Sequence, residues 1–577
     1  MYFATAKTRD SLPRRGLRGS SSFRWIADDL FLGKPRRVNS PTRVSQTTVQ
    51  AEQFARTDAV KLRDSVSDVF IPTGGIGARC FFVCGAIVIL AIALGLRVWR
   101  IDGPYEHFDE KIAVHVSHHL EQYPGWDDNW KNCEIPVFST TDQYNFSAYL
   151  YSTHLFRRLA APLLPVRWNE ERMGIVIHRL FSALCGTATV LLLMLITQRI
   201  GGGFLMLGAG LLATLNVQLV QDAHYARPEA FMNLLFITII WLGFLPSAGS
   251  WRPTTMALLI GLLTAVKFTN AMLVFLPFFV AWQLGSREGF APARFGRLLI
   301  VVLLAFVSGW AVGVPYALIH PSAYIAGVEF LSRAYAGVFP PYTLPDHGAS
   351  WPTMRACFLA THGFPLLSAM ALGSIWYLWR RRINEVILLL VPVAGYVMLF
   401  GTQKMFVERN LSPILPVALL MASVGFAILT GWLWRSNFKL AGVIFLAAIS
   451  LASITGDRAL WLLLHEGVTG KETAAYDAYL KNLRRDFPDV RLSFTSFFNN
   501  NDMDWLKGEL IGRREVLLNV FDFNDAYKLR GFQEMERRFN AFPVAEYRGT
   551  FADYPLSGLN NFHGPRLRTY LVRSLAD

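Results

Sequence analysis

Two acids, Asp109 and Glu110, stand side by side in the stretch HFDEKIAVHVSHHLEQ. Carboxylates at the mouth of a membrane cavity suit general-base work or metal binding. Acids at a helix N-terminus also simply complement the helix dipole, and the residues alone leave both readings open. Neighbours on a helix do not share a face, so two functional acids here would do different jobs. His115, His118 and His119 follow at i, i+3 and i+4. That spacing fits a metal site and equally an interfacial helix with its polar side in water. No matching acid or Cys completes a ligand set, so no cofactor is expected, with a divalent cation left open.

A second group of candidates sits in QDAHYARPEAF, where Asp222, His224, Arg227 and Glu229 crowd between two apolar runs. Pro228 must break the first helix or start the next. Ionisable groups are costly near lipid, which makes such a cluster a functional cavity by default, against the alternative of ion pairs capping a short turn. Lys267, Lys404, Glu408 and Arg409 form a third group. Arg makes bidentate contacts to phosphate and Lys point-charge ones, so cations converging beside a groove would hold a lipid phosphate. The competing reading is snorkelling toward lipid headgroups.

The elements that would position these residues are membrane helices. Of 577 residues, 53% are hydrophobic and 17% charged. The apolar residues gather into blocks of roughly 20, the length of a bilayer-crossing helix, which satisfies its own backbone in lipid. Eleven spans are expected, near 80–99, 175–197, 203–221, 229–246, 254–267, 270–284, 298–316, 363–379, 384–400, 411–433 and 438–456. Arg199, Arg252, Arg287, Arg294, Arg297, the Arg380–Arg382 run, Arg435 and Lys439 then share the side of the basic N-terminal tail, which is cytoplasmic by the positive-inside rule. The same rule requires two short spans within 254–284, joined at Lys267-Phe268-Thr269-Asn270. A Lys at that depth must be buried in protein or line a wet cavity.

The fold expected is therefore an all-α polytopic membrane protein with about 11 transmembrane helices and a small C-terminal α/β extracytoplasmic domain. Residues 1–79 form a largely disordered cytoplasmic tail without a signal peptide, and 80–456 the membrane domain. Its first outer loop is 100–174 and its second, Pro-rich one 317–362. Residues 457–577 form the outer tail domain, with alternating runs at Val490–Phe494 and Arg568–Val572 and a helical stretch near 524–539. The net charge of +14 lies at the ends of the apolar blocks rather than in one stripe, which argues for topology and against nucleic acid. Cys133 and Cys357 both fall in expected outer loops, which leaves a disulfide between them open, since the sequence does not supply the geometry.

Several ordered motifs together resemble a known family. They are FDEKIAV, DQYNFSAYLYSTHLF, RLFSALCGTATVLLLMLITQRIGG, AHYARPEAFMNLLF, GLLTAVKFTNAMLVFLPFF and FVERNLSPILPVALLMA, running from about 88 to 425. In order and topology they resemble the polyprenol-phosphate-dependent glycosyltransferases of the GT-C superfamily, in the protein-mannosyltransferase and aminoarabinose-transferase branch. The resemblance implies a sugar donor on a polyprenyl phosphate, an acceptor in the cell envelope, membrane lipids as surroundings and a bacterial inner-membrane location with the active site on the periplasmic face. It implies an inverting displacement with Asp109 as base and Glu110 supporting it. Asp222 and Arg227 match the family's polar cluster, and Lys267 its Lys-Thr-like motif. This sequence departs at Arg409-Asn410, where the family usually has Arg-Tyr, and at Asp142-Gln143-Tyr144-Asn145, where paired prolines are common. Sugar and acceptor therefore do not carry over. A flippase or transporter of lipid-linked saccharide is the alternative; it would usually show internal repeats, and none is visible. A non-catalytic assembly subunit, which would not need Asp109, is the third reading.

Overall fold

The computed structural model describes residues 76–102, 108–122, 147–163, 171–245, 249–336, 350–380, 383–404, 408–435, 463–464, 471–495, 515–521, 539–548 and 566–573, with isolated residues between 506 and 537. The tail before 76, the span expected at 438–456, the helical stretch expected near 524–539, the Asp142–Asn145 segment and the Cys133–Cys357 pairing lie outside what is described, as do the side chains of Asp109 and Glu408.

Helix α1, Ile76–Val98, is apolar from Cys80 onward and carries Arg97 in its last turn. Two short helices follow, α2 at Phe108–Gln122 and α3 at Ser147–Ala160. The spans expected at 175–197 and 203–221 fall on the two halves of α4, Glu171–Leu215, which are separated by non-helical backbone at Gly201 and Gly202; the second half ends at Leu215, short of the expected 221. Gly202 has φ +82°, a left-handed conformation that a side chain would resist. The apolar run then breaks at Asn216, whose side chain accepts from Leu219 N at 3.1 Å and starts α5, Val217–His224. Arg227 is extended because Pro228 follows it, and α6 runs from Pro228 to Gly243.

The pair of short spans expected around Lys267 is present. Helix α7, Trp251–Val266, stops where Lys267 adopts φ −144° and ψ 122°. A tight 3-10 turn, Phe268–Val274, leads into α8, Phe275–Glu288. Then come α9, Pro292–Gly313, and α10, Pro321–Ala336. Helix α11, Trp351–Trp379, is broken by non-helical backbone at Gly363, and its second part is the span expected at 363–379. A wide turn at Val386–Leu390 leads into α12, Val391–Thr402, and a 3-10 turn, Glu408–Ile414, into α13, Leu415–Arg435. Six of the described helical segments are long and apolar enough to cross a membrane, and Pro228–Gly243, Trp251–Val266 and Leu366–Trp379 are shorter apolar helices. The protein is thus a mostly helical, multi-pass membrane chain with a small sheet.

Helices α7 and α9 meet backbone to backbone. A Cβ on Gly261 would lie 2.1 Å from Phe306 O, and one on Gly309 2.0 Å from Leu258 O. Small residues at such crossings allow the close approach that membrane packing relies on. Since α7 ends at Lys267, this contact also fixes a candidate site residue. Gly309→Val is expected to push α9 away and lower stability by roughly 1–3 kcal/mol, the usual effect of overpacking, seen as a lower Tm of the purified protein in detergent.

The C-terminal region forms a four-stranded sheet, β1 Arg491–Thr495, β2 Glu515–Phe521, β3 Phe542–Arg548 and β4 Arg566–Arg573, in the order β1-β2-β4-β3. The β1–β2 pair is parallel and the others antiparallel. Val516, Leu518, Val520, Tyr570 and Val572 alternate onto one buried face. On β4 and β2, Thr569 and Asn519 bond each other, and Tyr479 of helix α14, Lys471–Asp486, bonds Thr569. The two alternating runs read from the sequence are strands β1 and β4.

Candidate functional site

Three helix breaks supply the site: Tyr225–Arg227 between α5 and α6, Lys267 after α7, and the 408–414 turn before α13. Each exposes backbone groups that lipid cannot satisfy, so each must be answered by protein or water. At the second break, Asn270 Nδ2 donates to the carbonyls of Leu263 and Lys267, both at 2.9 Å, while the Tyr396 hydroxyl donates to Asn270 Oδ1. Asn270 is therefore the residue that holds the chain open at Lys267.

The open backbone brings charges together. Glu229 Oε1 lies 3.1 Å from Arg227 Nη2 and 3.6 Å from Lys267 Nζ. Lys267 Nζ also donates to Asn410 Oδ1 at 3.2 Å, and Asn410 Nδ2 donates to the Tyr335 hydroxyl of α10 at 2.9 Å. Arg409 is close enough for its charge to act on both Glu229 and Tyr335. The cations Arg227, Lys267 and Arg409 thus gather around the carboxylate of Glu229. Lys267 retains 13% of its side-chain exposure while Glu229 retains 2%. Next to this group, the Ser412 hydroxyl donates to Asp222 Oδ2 at 2.6 Å and accepts from Gln218 Nε2 at 3.1 Å, linking α5 to the 408–414 turn.

Glu110 occupies a different position from its neighbour in sequence. Its side chain is fully buried, and Arg179 of α4 grips both carboxylate oxygens, Nε to Oε1 at 2.8 Å and Nη2 to Oε2 at 2.7 Å. Ala226 N donates to Oε1 at 2.7 Å, and Arg179 Nη1 donates to Ile101 O at 2.9 Å. The Arg179 guanidinium also stands 5.5 Å from the centre of the Tyr225 ring. One bidentate pair therefore ties together the end of α1, the start of α2, α4 and the first helix break. Its consequence for Asp109 is positional: the backbone carrying that residue is clamped to the break that carries Arg227.

The remaining sequence candidates divide. His224 is buried between Val220 O, 2.9 Å from Nδ1, and Trp99 O, 3.3 Å from Nε2, so it braces α5 against the end of α1. Lys404 is exposed, and its backbone N–H lies 3.2 Å from Tyr335 O. His115 is exposed and His119 buried, while His118 Nδ1 lies 3.7 Å from Glu121. Among the described residues no group of three or more His, Cys, Asp or Glu side chains is placed to hold a metal.

Sequence reading missed Arg179, Ser412, Tyr335 and Arg97. Arg97 is fully buried, and its guanidinium donates to Ala93 O at 3.0 Å and Ala213 O at 3.2 Å. It satisfies a carbonyl freed just before the break at Asn216. Gly186 makes room for it, since a Cβ there would lie 2.9 Å from Arg97 Nε. For Arg97 and Arg179 a signal existed, because an Arg inside an apolar run needs a partner within the protein.

No known family profile and no curated protein sequence matches the chain. Among solved structures the chain is similar to the archaeal oligosaccharyltransferase AglB from Archaeoglobus fulgidus, in complex with an inhibitory peptide and a dolichol-phosphate. The identity is 11%, covering 82% of this chain and 74% of that one, with a TM-score of 0.48. It is also similar to ArnT from Cupriavidus metallidurans in the apo state, at 11% identity, 85% and 98% coverage and a TM-score of 0.45. With ArnT bound to undecaprenyl phosphate the values are 12%, 86% and 98%, and 0.46.

Proposed function

We propose that the chain is a membrane glycosyltransferase that moves a sugar from a polyprenyl phosphate to an acceptor in the cell envelope, with inversion at the anomeric carbon. The observation that carries this reading is the convergence of Arg227, Lys267 and Arg409 at three helix breaks, beside the clamp that fixes the Asp109 backbone. A phosphate monoester or diester is the anion that such a set of cations suits, and a lipid tail is the substituent that a membrane helix bundle accommodates. The site lies on the periplasmic side of a bacterial inner membrane in this reading, with the N-terminus cytoplasmic.

The chemistry follows from the groups present. The Asp109 carboxylate takes the proton from the acceptor hydroxyl as that oxygen forms its bond to C1 of the sugar. The bond between C1 and the phosphate oxygen breaks with its electron pair going to the polyprenyl phosphate. Negative charge grows on that phosphate, and Lys267, Arg227 and Arg409 stabilise it where it develops. Glu229 holds the cations together before the donor arrives and offsets their mutual repulsion. Glu110 is a positioning residue, since both its oxygens are already occupied by Arg179 and Ala226 N.

Lys267→Gln tests the phosphate role. Losing one charged contact to a phosphate removes roughly 1.5–3 kcal/mol, so binding of a radiolabelled polyprenyl-phosphate sugar is expected to weaken by about tenfold or more. Unchanged donor binding by Lys267→Gln, with the protein still folded, would remove Lys267 from the donor site.

A further inference from the structure

Helix α10 is moored at both ends. Near its start, Trp310 Nε1 of α9 donates to the Tyr324 hydroxyl at 3.3 Å, and the two rings are 5.6 Å apart. At its end, Tyr335 O accepts from Lys404 N at 3.2 Å, and the Tyr335 ring lies 6.0 Å from that of Phe400 on α12. The last mooring is Asn410 Nδ2, 2.9 Å from the Tyr335 hydroxyl. These contacts hold a half-buried phenol beside the 408–414 turn.

Which atom donates follows from what each group can do. An ammonium only donates, so the Asn410 atom that meets Lys267 Nζ at 3.2 Å is its oxygen. That leaves the amide nitrogen for Tyr335. An amide nitrogen only donates, so the phenol oxygen accepts, and its own hydrogen is not used in that bond. No acceptor for this hydrogen occurs among the described residues.

Lys267 and Tyr335 are thus one side-chain amide apart, and both keep some exposure, while Asn410 and Glu229 are buried. Arg409 adjoins them on the turn and is also half-buried. The accessible side of this group therefore presents an ammonium, a guanidinium and a phenolic O–H, each with a hydrogen to give. A phosphoryl oxygen only accepts, so it suits such a set. A sugar hydroxyl also has a hydrogen to place. The carboxylate at hand, Glu229, retains 2% exposure and lies between Arg227 and Lys267.

We infer that Tyr335 is a further ligand of the donor phosphate, giving its hydroxyl hydrogen to a phosphoryl oxygen, and that Asn410 is the positioning residue that turns it that way. The assignment deepens the proposed donor site and rests on it for the identity of the anion. Tyr335 adds a contact without adding charge, so Glu229 need not offset it. It also makes the end of an outer helix part of the donor site.

The test uses the full-length protein in phosphatidylcholine nanodiscs and two tritiated probes, a polyprenyl phosphate and the matching uncharged polyprenol. Wild type is expected to prefer the phosphate. Tyr335→Phe is expected to bind the phosphate about tenfold more weakly, the loss of one hydrogen bond to a charged group, with polyprenol binding and Tm unchanged. Tyr324→Phe removes a hydroxyl from the other end of the same helix and should keep wild-type binding of both probes. Wild-type affinity of Tyr335→Phe for the phosphate would overturn the assignment. So would an equal loss for both probes, or an equal loss in Tyr324→Phe, since either would make the effect one of helix packing. A loss confined to the sugar-bearing donor would move Tyr335 to the sugar and also overturn it. Wild type that binds phosphate and polyprenol alike would instead remove the donor-phosphate reading itself, before any variant is compared.

Discussion

Asp109→Asn is expected to lower transfer by about 100- to 10,000-fold, the range that a positioned general base contributes, while leaving donor binding at the wild-type level. The amide is nearly the same size as the carboxylate but cannot take the acceptor's proton. Asp109 is on α2 one residue before Glu110, and the Glu110–Arg179 pair fixes that turn of helix against Ala226 and Ile101. The variant removes chemistry without disturbing the clamp. A split between lost turnover and intact donor affinity, measured with a radiolabelled polyprenyl-phosphate sugar, identifies the base. Turnover at the wild-type rate would remove Asp109 from that role.

Arg179→Met is expected to be the most destabilising single change at the site. It leaves Glu110 buried without its bidentate partner, and breaking one side of a buried pair typically costs about 3–5 kcal/mol. Replacing both partners, as in Glu110→Leu with Arg179→Met, is expected to recover much of the loss, because no uncompensated charge then remains buried. Activity should not recover with stability, since α2 would no longer be tied to the helix break beside Arg227. The measurements are Tm in detergent and transfer rate for both single variants and the double. Recovery of activity together with Tm in the double variant would show that the pair does nothing beyond stabilising the fold.

The helices were legible because a lipid-facing chain must be apolar over a fixed length. The break at Lys267 was legible for the same reason: a charge between two short apolar runs conflicts with one long span, and the structure has extended backbone there. Strands β1 and β4 were legible from alternation. Partnerships across long sequence separations were not. Nothing local in FDEKIAV says that Glu110 pairs with Arg179, or that Ser412 of the 408–414 turn donates to Asp222. The sequence placed His224 in the same cluster as Glu229, but an eight-residue helix with its own cap turns it toward Trp99 instead. Lys404 and Arg409 read alike as cations beside apolar runs, yet the Lys404 side chain is exposed while the charge of Arg409, on the 408–414 turn, reaches Glu229. The break at Gly201 and Gly202 was legible, since a glycine run between two apolar blocks marks the end of one helix and the start of the next.

The most direct measurement is transfer by the purified wild-type chain in native lipids, offered a panel of radiolabelled polyprenyl-phosphate sugars and a membrane extract as acceptor. The expected result is label moved from at least one polyprenyl donor into the extract, with release of the polyprenyl phosphate in equal amount. Donor that binds and crosses the bilayer with its sugar still attached, and no label in any acceptor, would contradict the transferase account and establish a transporter of lipid-linked saccharide in its place.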